Sequence, residues 1–310
     1  MFSNAGETAL ILLLALLLDA ALGEPRWLWS RIPHPAVLLG RAIGWADTQF
    51  NSGNNRKLKG IGVMATYSLV MAVIGYLVSN LPDYGIIQIL IVAIFLAEKS
   101  LCQHVSAVAD ALRLSTGDGR LMVSRIVGRD TRNMDDSTVA RTAIESGAEN
   151  LSDGVVAPAF WFLLLGLPGL LVYKVVNTAD SMIGYKTPKH MEFGWAAARF
   201  DDVLNWIPAR ITAFLIVITH NKLGAWRLIM RDAPQHRSPN AGWPEAAIAV
   251  SLNMALSGPR SYHGASCDYE FVFDEGRHQL TANDIDTSVK SLWRVWGAMV
   301  LITAFIAVVF

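Results

Sequence analysis

The stretch AIESGAENLSDG, residues 143–154, sets Glu145, Glu149 and Asp153 four residues apart, with Asn150 beside the second. On an α-helix that spacing stacks three carboxylates along one face, where they repel one another. A helix gains no stability from such a ladder, so a ligand is the reading that gives it a purpose. Oxygen-only sets of Asp, Glu and Asn suit Mg²⁺, which keeps several waters and shares phosphate oxygens with carboxylates. Basic residues lie among the acids: Arg129, Arg132, Arg141, Lys186, Lys189, Arg199 and Arg210. Arg grips phosphate with a planar fork and Lys with a point charge. Acids for a metal together with bases for phosphate describe a nucleotide or phosphoester site. The competing account is an ion-pair network that holds loops together. It explains the charges, but not the glycines and asparagines between them.

These residues fall in four polar clusters: Pro33–Arg41, Ile126–Gly154, Asn177–His190 with Ala198–Arg210, and His236–Ala247. The elements that must position them are apolar. Residues are 53% hydrophobic and only 17% charged, with mean hydropathy +0.35; a soluble domain carries roughly 25% charge. The composition is that of an integral membrane protein. Net charge is zero, which gives no support for a nucleic-acid partner. Apolar segments run over Leu10–Leu22, Ile61–Val78, Ile86–Ala97, Val155–Val176 and Trp293–Phe310, with a shorter one at Ile207–Ile218. The first lacks a basic flank and contains Asp19, so it is expected to be a retained helix rather than a cleaved signal.

Charge placement orients them. No Lys or Arg occurs in residues 1–25, 79–85 or 295–310. The positive-inside rule then puts both ends and the 79–85 turn outside, with the polar clusters on the cytoplasmic side. Four full crossings follow, near residues 7–24, 60–79, 85–102 and 292–310. Val155–Val176 is then expected to enter and leave on one side, as a hairpin broken at LGLPG, Leu165–Gly169; the less favoured alternative is a plain alternating six-span chain with the Asn177–Asp202 loop outside. Such a break survives at membrane depth only when buried in protein or lining a cavity. The expected fold is therefore an all-α integral membrane protein: about four transmembrane helices, a broken re-entrant helical hairpin and cytoplasmic helical loops. We expect one polytopic domain over 1–310, its cytoplasmic site built from loops near 24–59, 98–154, 177–206 and 220–290. LCQHVSAVADALRL has helical spacing, and the ladder helix has an N-cap candidate in Asp136 or Ser137. YEFVF, near 269–273, is the one strand-like run.

Generic motifs narrow this no further. There is no P-loop, dinucleotide fingerprint, HExxH or GxSxG. Cys102 and Cys267 lie in no metal or disulfide pattern, and packing is their expected role. His34, between two prolines, is a helix cap or a site residue. A transporter would also carry intramembrane acids and a broken hairpin, but it predicts polar residues in mid-span; Leu10–Leu18 is uniformly apolar, and Ile86–Ala97 is interrupted only by the uncharged Gln88. A non-catalytic sensory protein would not need metal and phosphate residues together.

The chain resembles a known family at GEP and PHPAVLLGR near the start, EKSL (Glu98–Leu101), VGRDT, ESGAENLSDGVVAPAFW, NTADSMIGYK, ARFDDVLNWIPAR and SPNAGWPEAA, with SYHGA (Ser261–Ala265) last. In this order, over residues 19 to about 265, they resemble the membrane-bound adenosylcobinamide-phosphate synthases of cobalamin (vitamin B12) biosynthesis, of the CobD/CbiB type. The resemblance implies a ligase of the bacterial cytoplasmic membrane. It would join adenosylcobyric acid, a corrinoid, to 1-amino-2-propanol phosphate or a similar amino-alcohol phosphate, with ATP and Mg²⁺. The lipid bilayer and other cobalamin-assembly enzymes at the membrane are the expected partners. On this resemblance Glu145, Glu149, Asp180 and His34 are catalytic candidates. Arg129, Arg132, Lys186, Arg199, Arg210, Asn177 and Asn240 are candidates for substrate and phosphate. Glu149, Asn150 and Asp153, then Asp201 and Asp202, are candidates for metal. Their spacing does not apportion the individual roles.

Overall fold

The computed structural model describes residues 5–262, 265–267 and 270–310, the side chains of 26, 260–262 and 265–267 excepted. Part of the SYHGA motif, the Cys267 side chain and Tyr269 lie outside the described residues. Fourteen helices are described among them: α1 Ala5–Leu22, α2 Arg26–Trp29, α3 Pro35–Phe50, α4 Arg56–Ser79, α5 Ile86–Phe95, α6 Glu98–Leu114, α7 Thr116–Val123, α8 Asp136–Leu151, α9 Ala157–Ile183, α10 Trp195–Leu204, α11 Trp206–Thr219, α12 Trp226–Asp232, α13 Gly242–Leu252 and α14 Ala282–Val309. Sheet is confined to short antiparallel pairs. Leu256–Ser257 (β1) pairs with Phe271–Val272, so part of the strand-like run is a strand, and Arg260–Tyr262 pairs with Ala265–Cys267.

Five helical stretches are long and apolar enough to cross a membrane, and α10 with α11, bent by 43°, makes a sixth if counted as one span. The protein is an all-α, multi-pass membrane protein. Four of the five stretches match the expected crossings, and the fifth holds the broken segment. The crossing expected at 85–102 is two helices, because Leu96 is extended (ψ 149°) and ends α5. The ladder helix is capped by Asp135 rather than Asp136 or Ser137. Asp135 has the extended backbone a cap needs, and its carboxylate accepts the Thr138 N–H at 2.8 Å.

The chain divides into two compact units. The first comprises Met1–Ala97, Ala157–Asn205 and Val300–Phe310. Here α9 is broken at Gly166 (φ 65°, ψ −157°), a conformation essentially reserved for glycine. The break is sharp: a Cβ on Gly169 would stand 2.5 Å from the Trp161 carbonyl oxygen. In a continuous helix that separation would be on the order of 10 Å. After the break α9 returns along α4. A Cβ on Gly75 would meet the Pro168 backbone at 2.6 Å, and one on Gly60 the Phe193 carbonyl at 2.0 Å. The fifteen residues between these glycines span about 22 Å of helix, which measures how far the returning limb runs. The side of α4 away from α9 exposes Leu69, Val73 and Leu77, as a lipid-facing helix should.

The second unit comprises Glu98–Val156 and Trp206–Met299. Its α6 and α8 bury Val105, Val108, Val139 and Ile144. A single π-helical turn, Ser152–Val156, follows α8. It widens the turn just beyond Glu149, so Asp153 leaves the α-helical register that the four-residue spacing implied.

Candidate functional site

The second unit separates the acids of the ladder. Glu145 is 3% exposed, Glu149 and Asn150 are exposed, and Asp153 is intermediate. Glu145 is held from two sides. The Arg129 guanidinium donates to its Oε2 at 2.7 Å, and the Ser257 N–H to its Oε1 at 2.7 Å. Ser257 has φ +61° and is itself buried, so this carboxylate braces a left-handed residue at the start of the β1 hairpin. A buried carboxylate with both oxygens engaged is positioned as a fold element, and so is its arginine. Asn150 donates to the Ser146 carbonyl at 2.9 Å, which leaves its own side-chain oxygen facing away from that bond. Arg132 sits on Asp130 at 2.6 Å.

The loop between α12 and α13 is tightly built. Ser238 N–H donates to His236 Nδ1, and the N–H groups of Asn240 and Ala241 both reach Ser238 Oγ. His236 also approaches the buried Glu245, with Nε2 to Oε2 at 3.6 Å. The loop places Asn240, 5% exposed, against Arg210, whose Nη1 donates to Asn240 Oδ1 at 3.3 Å.

In the first unit the polar residues form two groups. Asp201 accepts Asn177 Nδ2 at 3.2 Å and Asn205 Nδ2 at 2.9 Å, while Tyr173 Oη donates to Asn205 Oδ1 at 3.0 Å. Tyr173 and Asn205 are fully buried, so this chain of bonds ties α9 to the end of α10. Asp202, next along, faces Arg199 at 3.3 Å. Asp180 is half-buried near the end of α9, where its carbonyl accepts the Gly184 N–H. Lys186 is exposed and makes no ion pair among the described residues.

The second group was not anticipated. Asp47 on α3 accepts Lys189 Nζ at 2.6 Å and Asn51 Nδ2 at 2.8 Å, and His190 Nε2 lies at 3.4 Å. Burial alone would raise the Asp47 pKa; the Lys189, Asn51 and His190 contacts outweigh it and hold the carboxyl below its ordinary range. His34 caps α3, its Nδ1 accepting the Ala36 N–H at 3.1 Å, with Trp29 edge-on at 4.5 Å. Burial lowers the His34 pKa, Glu24 partly offsets this and Lys174 lowers it further. A neutral ring whose acceptor nitrogen is spent on a cap carries its proton on the other nitrogen. Also unanticipated is Glu98, fully buried at the start of α6, where it accepts the Cys102 thiol at 3.3 Å. Glu98 opens the EKSL motif noted in the sequence, and it is an acid directly after an apolar run, but neither feature gave it a role.

Among the described residues no three His, Cys, Asp or Glu side chains gather closely enough to enclose a metal ion. Glu149, Asn150 and Asp153 instead offer two carboxylates and an amide oxygen at accessible positions. That set fits Mg²⁺, whose other ligands are usually water and substrate phosphate.

The fold is that of a multi-pass α-helical membrane protein with clusters of polar residues at its helix ends. The family model described as "CobD/Cbib protein" matches residues 12–292. The chain is 47% identical over 307 residues to the cobalamin biosynthesis protein CobD of Brucella anthropi, covering 94% of each. It is 44% identical over 314 residues to that of a Sinorhizobium species, covering 96% of each, and 40% identical over 303 residues to that of Halalkalibacterium halodurans, covering 93% of each. The chain belongs to the CobD/CbiB family. No solved structure matches it.

Proposed function

We propose that this protein acts in cobalamin biosynthesis as an ATP-dependent ligase, joining a carboxylate of adenosylcobyric acid to an amino-alcohol phosphate such as 1-amino-2-propanol phosphate. The observation that carries this is the family match, which spans all four polar clusters. The chemistry asks for what those clusters contain. A carboxylate does not react with an amine at neutral pH, because its oxygen is a poor leaving group. ATP converts it to an acyl phosphate with release of ADP, or to an acyl adenylate with release of pyrophosphate. The amine then attacks the acyl carbon, the phosphate or AMP leaves with the carbon–oxygen electron pair, and an amide remains. Before attack the ammonium must lose a proton to a base. Asp180, reachable by solvent, fits that role better than His34, whose acceptor nitrogen is committed to its cap. Lys186, exposed and without an ion pair among the described residues, would neutralise phosphate charge. Mg²⁺ held by Glu149, Asn150 and Asp153 would screen the charge that builds on the phosphate oxygens.

The same reading places the protein in the bacterial cytoplasmic membrane with the site facing the cytoplasm, supported by the one-sided Lys and Arg distribution. Purified protein in detergent, supplied with cobyric acid, aminopropanol phosphate, ATP and Mg²⁺, should form the amide and consume ATP in equal amounts. ATP-independent behaviour, or no product, would remove the ligase assignment. Cysteine labelling at positions 181 and 238 in intact cells tests the orientation. Labelling from outside at either would reverse it.

A further inference from the structure

Four arginines were singled out for phosphate, and the structure treats one of them differently. Arg129 is neutralised by Glu145, Arg132 by Asp130 and Arg199 by Asp202. Arg210 has no carboxylate within ion-pair distance among the described residues, although it is only partly exposed. Its guanidinium lies between two indoles, with Cζ 4.3 Å from the Trp206 ring centre and 4.5 Å from that of Trp243. Its Nη1 donates to the Trp206 carbonyl at 2.6 Å and to Asn240 Oδ1 at 3.3 Å. The two indoles confine the guanidinium, and the two acceptors hold its Nη1. Two of the five N–H donors are thereby used. The Nε and Nη2 side remains, a planar fork that matches two oxygens of one anion.

A cation taken partly out of water without a counter-charge is costly, and cation–π contacts offset only part of that. The loop that holds it is overdetermined. Ser238 Oγ receives two backbone N–H groups, and a Cβ on Gly242 would meet the Ala233 carbonyl at 2.2 Å. Asn240 and Trp243 are therefore set against Arg210 before any ligand arrives. An acid at position 240 would have met the electrostatic need, yet the residue is a neutral amide.

We propose that Arg210, clamped by Trp206, Trp243 and Asn240, is a preformed receptor for a phosphoryl group, and that its guest is the phosphate of the amino-alcohol substrate. The receptor rests on geometry within the second unit; the choice of guest rests on the function proposed above. A phosphoryl group could also come from a lipid headgroup, since α11 belongs to a candidate span.

The test is calorimetric titration of the purified full-length protein in detergent, without ATP or corrinoid. The probes are O-phosphoethanolamine, an amino-alcohol phosphate, and dihexanoyl phosphatidic acid. Wild type should bind O-phosphoethanolamine, and Arg210→Gln should weaken it at least tenfold. Arg210→Lys, which keeps charge and loses the fork, should fall between. Asn240→Asp guards against misfolding: it places a carboxylate on Arg210, so binding should drop while the melting temperature holds or rises. Arg210-dependent binding of the lipid alone keeps the phosphoryl receptor and overturns the amino-alcohol guest. Binding of neither probe, or binding unchanged in both Arg210→Gln and Asn240→Asp, overturns the receptor. Because no turnover is involved, failed amide formation with intact Arg210-dependent binding would sink the ligase reading and leave the receptor standing.

Discussion

Replacing Glu145 with Gln separates a structural carboxylate from a catalytic one. The Glu145 side chain is 4% exposed and that of Arg129 12%. Gln keeps an oxygen for the Ser257 N–H, so that bond survives. What is lost is the charge opposite a buried guanidinium. Breaking a buried ion pair from one side costs about 3–5 kcal/mol. The retained Ser257 bond argues for the lower end, about 3 kcal/mol, or roughly a 150-fold change in the folding equilibrium at 1.4 kcal/mol per tenfold. Arg129→Met with Glu145→Gln removes the stranded cation as well, and should recover most of that stability. The double-mutant cycle then reports a coupling on the order of 2–3 kcal/mol. Urea unfolding in a fixed detergent, followed by tryptophan fluorescence, measures all four forms. The brace also predicts that turnover returns in the double variant along with stability. Wild-type stability in Glu145→Gln with abolished turnover would refute the reasoning and return Glu145 to the reacting groups.

Three further outcomes follow from the same geometry. Glu149→Gln and Asp153→Asn should leave the protein folded and lower turnover by on the order of a hundredfold, with part recovered at high Mg²⁺; normal turnover and normal Mg²⁺ dependence in both would exclude a metal role. Gly166→Ala forces a side chain into φ +65°, ψ −157° and should cost about 1–3 kcal/mol by urea unfolding, against almost nothing for Gly62→Ala, where a Cβ meets open space. Asp47 has a folded pKa below its unfolded value, so its contribution is present above about pH 4 and is lost as pH falls through the folded value; melting temperatures measured from pH 7 to pH 3 should fall less steeply in Asp47→Asn, and an identical slope would contradict the assignment.

The membrane architecture was legible because its determinants are local. A run of apolar residues, and Gly and Pro together at LGLPG, each act through nearby chain, and the break indeed falls at Gly166. The fate of each charge was not legible, because it depends on partners far along the chain. Glu145 and Glu149 look alike at i and i+4, yet one meets Ser257, 112 residues away, and the other faces outward. The π turn at Ser152–Val156 has no residue signature that distinguishes it from a further α turn, so the alignment of Asp153 with its neighbours was overestimated. The Asp47 group escaped notice for the same reason, since Lys189 lies 142 residues from it.

The 26 basic and 26 acidic residues balance in number, and that balance conceals two populations. In one, charge is consumed within the fold: Arg129 with Glu145, Lys189 with Asp47, and Arg231 with Asp232 and Glu275. These pairs hold loops and helix ends in place, as the ion-pair account of the polar clusters requires. In the other, charge is positioned but not spent, as in Arg210 against its indoles. A ligand site needs the second population, and it can be precise only if the first fixes the backbone that carries it. The ion-pair account therefore holds for the first population, and the ligand account we propose concerns the second. Substitutions in the first population should move stability and turnover together, and those in the second should move turnover or binding alone.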